Sequence, residues 1–386
     1  MSILKVQKIR HTASNTDVID IANDGTCTAN VTSIGGGQLS NRNLIINGAM
    51  QVAQRGTSST SAGYKTIDRM YVGFASTDEA PTITQADISS SDTPYTKGFR
   101  KALKIQNGDQ SSGAGAANEM QFTYNIEAQD LAQSGWDYTS SSSNITVSFW
   151  ARSSVAQQFQ VNNRLYGPSN NNQREICYEY TLAANTWTKI TKTISGHTDN
   201  TLRNDNALGM FMMFGLYYGT NYTAPGRAFD QWGGKNNAAN FRDFATDWYV
   251  ADNATFEITG LQVEVGSVAT DFEHRSYGDE LLKCARYCYV VTRLAVMSNA
   301  ASGYVSCCSR PNPVPMRASP SLSKSGGITF NAFFENVTPP VTYVTPSLQS
   351  AVNDNFVINF SGFSSTVNNR FGDVYGFNYL IMSAEL

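Results

Sequence analysis

Alternation of apolar and polar residues is the main pattern of this chain. In residues 121–127 the side chains of Phe122, Tyr124 and Ile126 fall on one side, and residues 145–150 repeat the pattern. A period of two predicts half-buried strands of antiparallel sheets, each with one row of side chains in a core. We therefore expect a chain made almost wholly of β-structure.

A change of phase marks residues 255–265. Their apolar residues occupy even positions up to Ile258 and odd positions from Leu261, and Gly260 lies at the change. A β-bulge adds one residue to a strand and so switches the face on which later side chains lie. The pattern predicts a bulge or bend at Gly260.

Polar segments rich in Ser, Asn and Gly separate the alternating stretches. Their composition predicts loops without helix, at residues 89–95, 109–118, 139–144 and 162–173. Many short strands joined by such loops are typical of a β-sandwich or jelly roll.

One helix is predicted, over residues 277–285. Acidic residues occupy its first turn, and Leu281, Leu282 and Ala285 share one face. We expect this helix to connect two β-domains. Beyond it, strands are predicted at residues 327–330, 356–360 and 376–381, after a segment with several prolines.

The predicted organisation has four parts. They are an oligomerising arm (1–40), a jelly-roll β-sandwich (41–276), a helical connector (277–290) and a C-terminal β-sandwich tip (291–386). The arm has a strand at residues 18–21 and spaced apolar residues for docking, namely Ile3, Leu4, Val6 and Ile9. Strands this short cannot bury a core alone. We expect the arm to fold against its own copies or a docking protein, with a disordered leader as the alternative.

Charge narrows the range of partners. Lys plus Arg total 28 and Asp plus Glu total 31, without a basic block. Neither nucleic acid nor an anionic membrane surface is an expected partner. The chain has no apolar run long enough for a membrane-spanning helix and opens without an apolar signal segment, so synthesis in the cytoplasm is expected.

The six cysteines are expected to be buried free thiols. Cys284 and Cys288 form a C-x₃-C pair, but paired C-x₂-C motifs and nearby histidines are missing. Zinc is therefore the weaker interpretation.

Three stretches together resemble a known family. Residues 41–56 (NRNLIINGAMQVAQRG) with 67–69, residues 261–281 (LQVEVGSVATDFEHRSYGDEL) with 284–287, and residues 313–320 (PVPMRASP) are similar to segments of phage tail-fibre and receptor-binding proteins. The resemblance covers most of residues 41–320. It implies a carbohydrate-binding-module-like jelly roll in a virion fibre, usually a homotrimer.

That resemblance implies the partners and the location. The arm would dock on a phage tail, nozzle or adaptor protein, and the receptor would be a host surface polysaccharide or lipopolysaccharide. The chain would belong to the virion after synthesis in the host cytoplasm. Two alternatives stay open: a purely structural capsid-decorating or neck fibre, and a polysaccharide depolymerase.

The residues of that signature also have a structural interpretation. In residues 271–277 alternate charges can pair across a turn while Phe272 and Tyr277 pack, and Asp68 and Arg69 offer one more pair. We expect these residues to fix backbone geometry rather than to catalyse.

No catalytic residue and no cofactor is predicted. The sequence has no nucleophile elbow, no H-E-x-x-H motif and no phosphate loop, and no carboxylate pair stands out. A structural calcium ion held by a loop such as residues 199–205 is the open alternative, although the spacing is not that of an EF-hand.

Glycan binding is expected to use exposed aromatic faces flanked by amides and carboxylates. Trp232 precedes two glycines that would let its ring stand clear of the backbone, and the C-terminal tip is a second candidate region. The predicted glycan-binding residues are Trp232, Tyr217, Tyr218, Tyr222, Asp230, Asn236, Arg370 and Tyr375. The alternative is that the aromatic residues pack on the sheet or between subunits.

Overall fold

Antiparallel β-sheet makes up most of the regular structure in the part of the chain that the structure describes. The computed structural model describes residues 8–9, 19–21, 27–29, 41–168, 173–291, 294–298, 304–307, 310–311, 313–325, 329–332, 341–342, 345–352, 355–361, 371–375 and 379–386. In these residues the strands form five sheets. The prediction of an all-β fold is confirmed.

The first three strands form a small antiparallel sheet. They are β1 (Lys8–Ile9), β2 (Ile19–Ile21) and β3 (Cys27–Ala29), in the order β1-β2-β3. The predicted strand at 18–21 is thus found as β2. Of the predicted docking residues, Ile9 lies in β1, while Ile3, Leu4 and Val6 lie outside the described residues.

Two six-stranded sheets form a β-sandwich. Sheet I has the order β14-β11-β10-β13-β8-β5 and comprises β5 (Tyr71–Ala75), β8 (Glu119–Glu127), β10 (Gln157–Leu165), β11 (Arg174–Leu182), β13 (Leu208–Tyr218) and β14 (Gly233–Gly234). Sheet II has the order β12-β9-β15-β7-β6-β4 and comprises β4 (Ser58–Ser59), β6 (Thr82–Asp87), β7 (Lys101–Gln106), β9 (Asn144–Ser153), β12 (Thr188–Ser195) and β15 (Thr255–Val265).

Aromatic rings from both sheets fill the space between them. Phe122 and Phe214 of sheet I stack with centroids 4.3 Å apart, and Phe149 of sheet II meets Phe214 edge-on at 5.5 Å. The side chains expected to face inward are buried, namely Phe122, Tyr124, Ile126, Ile145, Val147 and Phe149. Alternation therefore predicted the core correctly, because each strand presents one row of side chains to it.

The bulge predicted at Gly260 is present. Thr259 pairs with Trp150, but the next pair joins Gln262 to Ser148, so β15 has one extra residue here. Gly260 has a φ of +65°, and a Cβ at this position would lie 2.6 Å from Cζ of Phe99. Glycine is needed both for the left-handed backbone and for the close approach of the Phe99 ring.

Three predicted loops are partly regular structure, although in the one predicted at 139–144 only Asn144 belongs to a strand, β9. Residues 162–165 belong to β10 instead of the loop predicted at 162–173, and α1 (Thr93–Thr96) ends the one predicted at 89–95. The polar face of β10 misled the prediction because a further layer of chain covers it. Asn162 donates to the carbonyl of Asn240 at 2.7 Å, and Arg164 donates to the Asn240 side chain at 2.9 Å.

Three more helices are present in the described residues: α2 (Ala128–Ala132), α3 (Asp247–Val250) and α4 (Tyr277–Ala285). The bounds of α4 match the prediction, but its buried face does not. Leu282 is 44% exposed, whereas Glu280 is 5% exposed. The helix turns Glu280 inward because this carboxylate accepts hydrogen bonds from the backbone of Asn47 and from Arg275. No helix in the described residues is long and apolar enough to cross a membrane.

The C-terminal strands form two further antiparallel sheets. The first has the order β16-β26-β20, and the second contains the other strands of this region. The strands are β16 (Cys288–Val291), β17 (Leu294–Ser298), β18 (Tyr304–Cys307), β19 (Arg310–Pro311), β20 (Ser321–Ser325), β21 (Thr329–Ala332), β22 (Val341–Thr342), β23 (Thr345–Val352), β24 (Asn355–Ser361), β25 (Phe371–Tyr375) and β26 (Tyr379–Ser383).

The strands predicted at 327–330, 356–360 and 376–381 correspond to β21, β24 and β26. The domain boundaries at residues 41, 277 and 291 stay predictions. Cys177, Cys284 and Cys288 are buried free thiols, as predicted, and for the other three cysteines this state stays a prediction.

The residues after β26 join these strands to the sandwich. Arg69 Nη1 contacts a carboxylate oxygen of Glu385 at 2.6 Å, and Arg55 Nη2 contacts the other at 3.1 Å. Asp68 lies 3.8 Å from Arg55. The prediction that Asp68 and Arg69 pair with each other was wrong: both residues lie in a turn, where Arg69 has a φ of +72°, and their side chains meet different partners.

Candidate functional site

A groove of about 510 Å³ lies on the outer face of sheet II. Strands β9, β12 and β15 contribute to it, together with residues before β7 and after β15. The residues around it combine aromatic rings with hydroxyl, ammonium and carboxylate groups; they are Thr96, Lys97, Phe99, Ser148, Phe149, Trp150, Lys189, Gly260, Thr270, Asp271, Phe272 and His274. We call this surface the aromatic groove.

Three rings form one end of the aromatic groove. The centroids of Phe99 and Phe272 are 4.9 Å apart, those of Phe99 and His274 are 5.0 Å apart, and those of Phe272 and His274 are 4.9 Å apart. Phe99 lies beneath, against Gly260, while Phe272 is half-buried and His274 is exposed. The bulge in β15 thus makes room for the floor of the groove.

The segment after β15 holds this end in place. In residues 272–275 the side chains of Phe272 and His274 line the groove, while those of Glu273 and Arg275 form hydrogen bonds with the backbone at Asn43. Glu273 accepts from the backbone N–H of Asn43 at 2.8 Å, and Arg275 donates to the Asn43 carbonyl at 2.6 Å. Burial alone raises the pKa of Glu273, but backbone hydrogen bonds and Arg275 hold that pKa below its ordinary value. The alternate residues therefore have separate roles, one set anchoring and the other facing the groove.

The packing predicted for the signature was half right. Glu273 and Arg275 pair across the turn at 3.0 Å, as expected. Phe272 packs as expected, against Phe99 and His274, but Tyr277 does not, since its side chain is 56% exposed. The cause is the turn into α4, where Ser276 caps the helix by accepting from the N–H of Asp279, which leaves Tyr277 on the outer side.

Trp150 supplies the broad aromatic face of the other side. It is half-buried on β9, and its cross-strand neighbours are Lys189 on β12 and Thr259 on β15. Farther along the sheet, Trp187 is buried, with the guanidinium of Arg152 lying 4.9 Å from its ring. Arg152 is fixed by Asp92 at 3.1 Å and Glu257 at 2.8 Å.

The predicted aromatic candidates of residues 217–222 lie elsewhere. Tyr217 and Tyr218 are 5% and 3% exposed, so their faces are not available to a ligand. Tyr217 stacks on Tyr249 with centroids 4.3 Å apart, and Tyr222 meets Tyr218 edge-on at 5.9 Å. Tyr217 and Tyr218 end β13, whereas Tyr222 belongs to a layer of chain, residues 219–245, that packs on the outer face of sheet I.

Trp232 is half-buried in the same layer. Its indole N–H donates to the carbonyl of Ser195 at 2.7 Å, which fixes the ring against the sandwich edge. Asp230 pairs with Lys192 at 2.5 Å, and Asn236 caps a short 3₁₀ turn by accepting from the N–H of Ala238 at 3.1 Å. These two exposed polar groups thus have partners within the chain, and their role in glycan binding stays a prediction.

The two candidates of the C-terminal tip cannot be placed in a site. Tyr375 ends β25, and its side chain lies outside the described residues, as does the whole of Arg370. The loop proposed for calcium pairs its carboxylates with arginines: Asp199 with Arg174 at 3.3 Å and Asp205 with Arg203 at 2.6 Å. Among the described residues no group of three or more His, Cys, Asp and Glu side chains is placed to hold a metal ion.

Sequence reasoning missed the aromatic groove although one signal for it was present. Because Phe149 faces inward, alternation places Trp150 on the outer face of β9. An outward-facing tryptophan on a strand is a candidate binding residue, whereas the loop composition favoured Trp232. Phe272 and His274 reach Trp150 only through folding.

Comparison with known proteins gives a limited result. No family model matches the chain, and no curated protein matches it. Similar solved structures include the enzymatically active domain of bacteriophage CBA120 tailspike protein 4, with 11% identity and a TM-score of 0.31 over 58% of this chain and 21% of that one. The CBM22-1 xylan-binding domain of Paenibacillus barcinonensis Xyn10C has 8% identity and a TM-score of 0.28, over 61% of this chain and 100% of that one.

A third structure is the family 11 carbohydrate-binding module of Clostridium thermocellum in complex with a β-1,3-1,4-mixed-linked tetrasaccharide. It has 9% identity and a TM-score of 0.27, over 55% of this chain and 98% of that one. These scores are low, so the description of the fold rests on the sheets and registers given above.

Proposed function

We propose that this chain is a subunit of a phage virion fibre and attaches the particle to host surface glycan through the aromatic groove. The observation that carries the proposal is the half-buried Trp150 with Phe272 and His274 across a 510 Å³ groove. Sugar rings have an apolar face and a polar rim, and such a groove offers partners for both.

The polar groups of the aromatic groove suit a hydroxylated ligand. Lys97 and Lys189 donate hydrogen bonds, Asp271 accepts them, and the hydroxyl of Thr270 does both. Among the described residues around the groove, Asp271 is the one carboxylate. Glycoside cleavage commonly uses two carboxyl groups that flank the bond. This composition favours binding over cleavage.

Attachment through several copies strengthens a weak site. The resemblance of residues 41–56 and 261–281 to tail-fibre proteins supports a homotrimer, in which residues 1–40 dock on a tail, nozzle or adaptor protein. Three sites on one rigid body raise the effective concentration for each further contact. Host polysaccharide or lipopolysaccharide, which presents many identical sugars, suits this mode of attachment.

A glycan array and host-cell binding test the proposal. The full chain is expected to retain host surface polysaccharide or lipopolysaccharide, and Trp150→Ala is expected to weaken binding at least about tenfold, which corresponds to about 1.4 kcal/mol. Tyr277→Ala removes an exposed ring outside the groove and serves as the control.

Each other outcome points to a different function. An absence of binding to host glycans and to host cells would favour a purely structural fibre. Release of reducing ends from host polysaccharide would indicate a depolymerase. Light scattering tests the trimer separately, since a monomer of 42.1 kDa would contradict it.

A further inference from the structure

A second concave surface lies on the outer face of sheet I, on the opposite side of the sandwich from the aromatic groove. Its volume is about 310 Å³. The residues around it are Tyr64, Tyr71, Gln121, Thr123, Asn125, Phe211 and Leu386. We call it the amide cleft, because two side-chain amides lie on its floor.

One strand supplies the floor. Gln121, Thr123 and Asn125 alternate along β8, so all three point to the outer face of sheet I, while Phe122 and Tyr124 point into the core. Neighbouring strands supply the sides: Tyr71 of β5 is the cross-strand partner of Thr123, and Phe211 of β13 is the partner of Asn125. The arrangement follows from the register of three strands.

The position opposite Gln121 is a glycine. A Cβ on Gly73 would come within 3.0 Å of the Tyr71 ring and 3.3 Å of Gln121 Nε2. Tyr71 and Gln121 thus come together over a position that carries no side chain. The ring of Tyr64 meets that of Tyr71 edge-on, with centroids 5.3 Å apart.

Two buried acceptors on this floor lack a partner. Neither Oε1 of Gln121 nor Oδ1 of Asn125 has a hydrogen bond. Asn125 is 6% exposed, and its Nδ2 is committed to the carbonyl of Leu386 at 2.9 Å and to Tyr64 Oη at 3.2 Å. A buried acceptor without a donor costs about 1–3 kcal/mol. A ligand that brings hydroxyl groups would satisfy both oxygens.

The cleft is elongated, and its side chains are uncharged. None of the seven described residues around it carries a charged side chain. Gln121 and Asn125 are four residues apart on a strand, which separates their Cα atoms by about 13 Å. That distance exceeds the length of one sugar ring. Aromatic sides with acceptors at both ends fit a short chain of sugars better than a single sugar.

We propose that the amide cleft binds a neutral oligosaccharide. Its rings lie against Tyr71 and Phe211, and its hydroxyl groups donate to Gln121 Oε1 and Asn125 Oδ1. The protein would then hold two saccharides on opposite faces of the sandwich. The amide cleft stands on its own residues and does not require the aromatic groove to bind sugar.

The test uses the full chain carrying Trp150→Ala, so that binding at the aromatic groove is weakened. Cellohexaose, maltohexaose, xylohexaose and mannohexaose are the neutral probes, and an oligogalacturonate is the anionic one, all followed by saturation-transfer NMR and calorimetry. At least one neutral hexasaccharide is expected to bind.

Two further changes locate that binding. Adding Gln121→Met, which removes an acceptor, or Phe211→Leu, which removes an aromatic face while keeping an apolar side chain, is expected to weaken it about tenfold. Gln158→Met changes an exposed glutamine elsewhere on sheet I and serves as the control. Thermal unfolding verifies that each variant is folded.

Several results would overturn the inference: no neutral probe binds the Trp150→Ala chain, only the oligogalacturonate binds, or both cleft changes leave binding intact. If the wild-type chain binds a probe and Trp150→Ala abolishes that binding, the proposed function stands and the amide cleft is ruled out as a binding site. If Gln121→Met weakens binding and Trp150→Ala leaves it unchanged, the result supports the amide cleft and contradicts the proposed role of the aromatic groove.

Discussion

The guanidinium of Arg69 lies 3.5 Å from the centre of the Tyr287 ring. Arg69 is 1% exposed, and besides its pair with Glu385 it donates from Nη2 to the carbonyl of Asn125 at 2.5 Å. One buried side chain therefore links sheet I, the segment after α4 and the residues after β26. The contact makes the sandwich and the C-terminal strands interdependent.

Arg69→Met is expected to destabilise the protein by about 3–5 kcal/mol, because it leaves the buried carboxylate of Glu385 with one cation fewer. The double variant Arg69→Met, Glu385→Gln is expected to recover part of the loss. Urea denaturation measures both. Lys101→Met breaks an exposed pair with Asp87 and is expected to cost less than about 1 kcal/mol. Equal losses of unfolding free energy on breaking the buried Arg69–Glu385 pair and the exposed Lys101–Asp87 pair would refute the prediction.

Glu127 is expected to stabilise the protein at neutral pH and to lose this effect in acid. Burial alone raises its pKa, but hydrogen bonds from Arg286 and Tyr287 hold the pKa below its ordinary value. The contribution is therefore present above about pH 4.5, the ordinary pKa, and disappears as the pH falls through the lowered one. The difference in melting temperature between wild type and Glu127→Gln should shrink between pH 6 and pH 3, and a constant difference would exclude this role.

Asp68 is expected to have the opposite pH dependence. Burial raises the pKa of Asp68 to about 6, against the lowering effects of Arg55 and Gln54. The folded protein binds this proton more tightly than the unfolded chain, so the contribution is full below about pH 4 and is lost as the pH rises through 6.

Asp68→Asn should therefore gain stability relative to wild type by about 2–3 kcal/mol between pH 3.5 and pH 7.5, at about 1.4 kcal/mol for each unit of pKa change. Denaturant titrations at the two pH values measure the gain. If the wild type instead became more stable relative to Asp68→Asn as the pH rises, the folded protein would hold the carboxylate ionised at little cost, against the prediction.

Gly260→Ala is expected to cost about 2–3 kcal/mol and to weaken binding at the aromatic groove. Alanine must adopt the φ of +65° and would press its Cβ against the Phe99 ring. Gly113→Ala isolates the backbone strain, since Gly113 has a φ of +76° and nothing within 4 Å, and Gly233→Ala, which lacks both features, should be nearly neutral. A loss at Gly260 no larger than at Gly113 would show that Phe99 moves aside without cost.

Local patterns predicted the sandwich because strand periodicity is a local property. Each residue of β8 or β9 takes its face from its immediate neighbours, so Phe122 and Phe149 could be placed in the core from parity alone. Gly260 was identifiable in the same way, since the phase of the apolar residues changes around it. The bounds of α4 followed from its acidic first turn.

The candidate site was less predictable because its parts come from distant segments. Trp150 could be assigned to an outer face, but nothing local indicates that Phe272 meets Phe99. The segment around Trp232 has the composition of an exposed loop, yet it covers sheet I. Asn236, for example, donates from its backbone N–H to Glu175 at 3.2 Å, 61 residues away.

The ion pair of Arg69 with Glu385 spans 316 positions of the chain. A ribosome that adds about 5–20 residues per second needs roughly 15–60 s to make the intervening polypeptide. During that interval Arg69 must remain hydrated or find a temporary counter-ion. The sheets made earlier can pair as they emerge, but this contact forms only after residue 385 has been made.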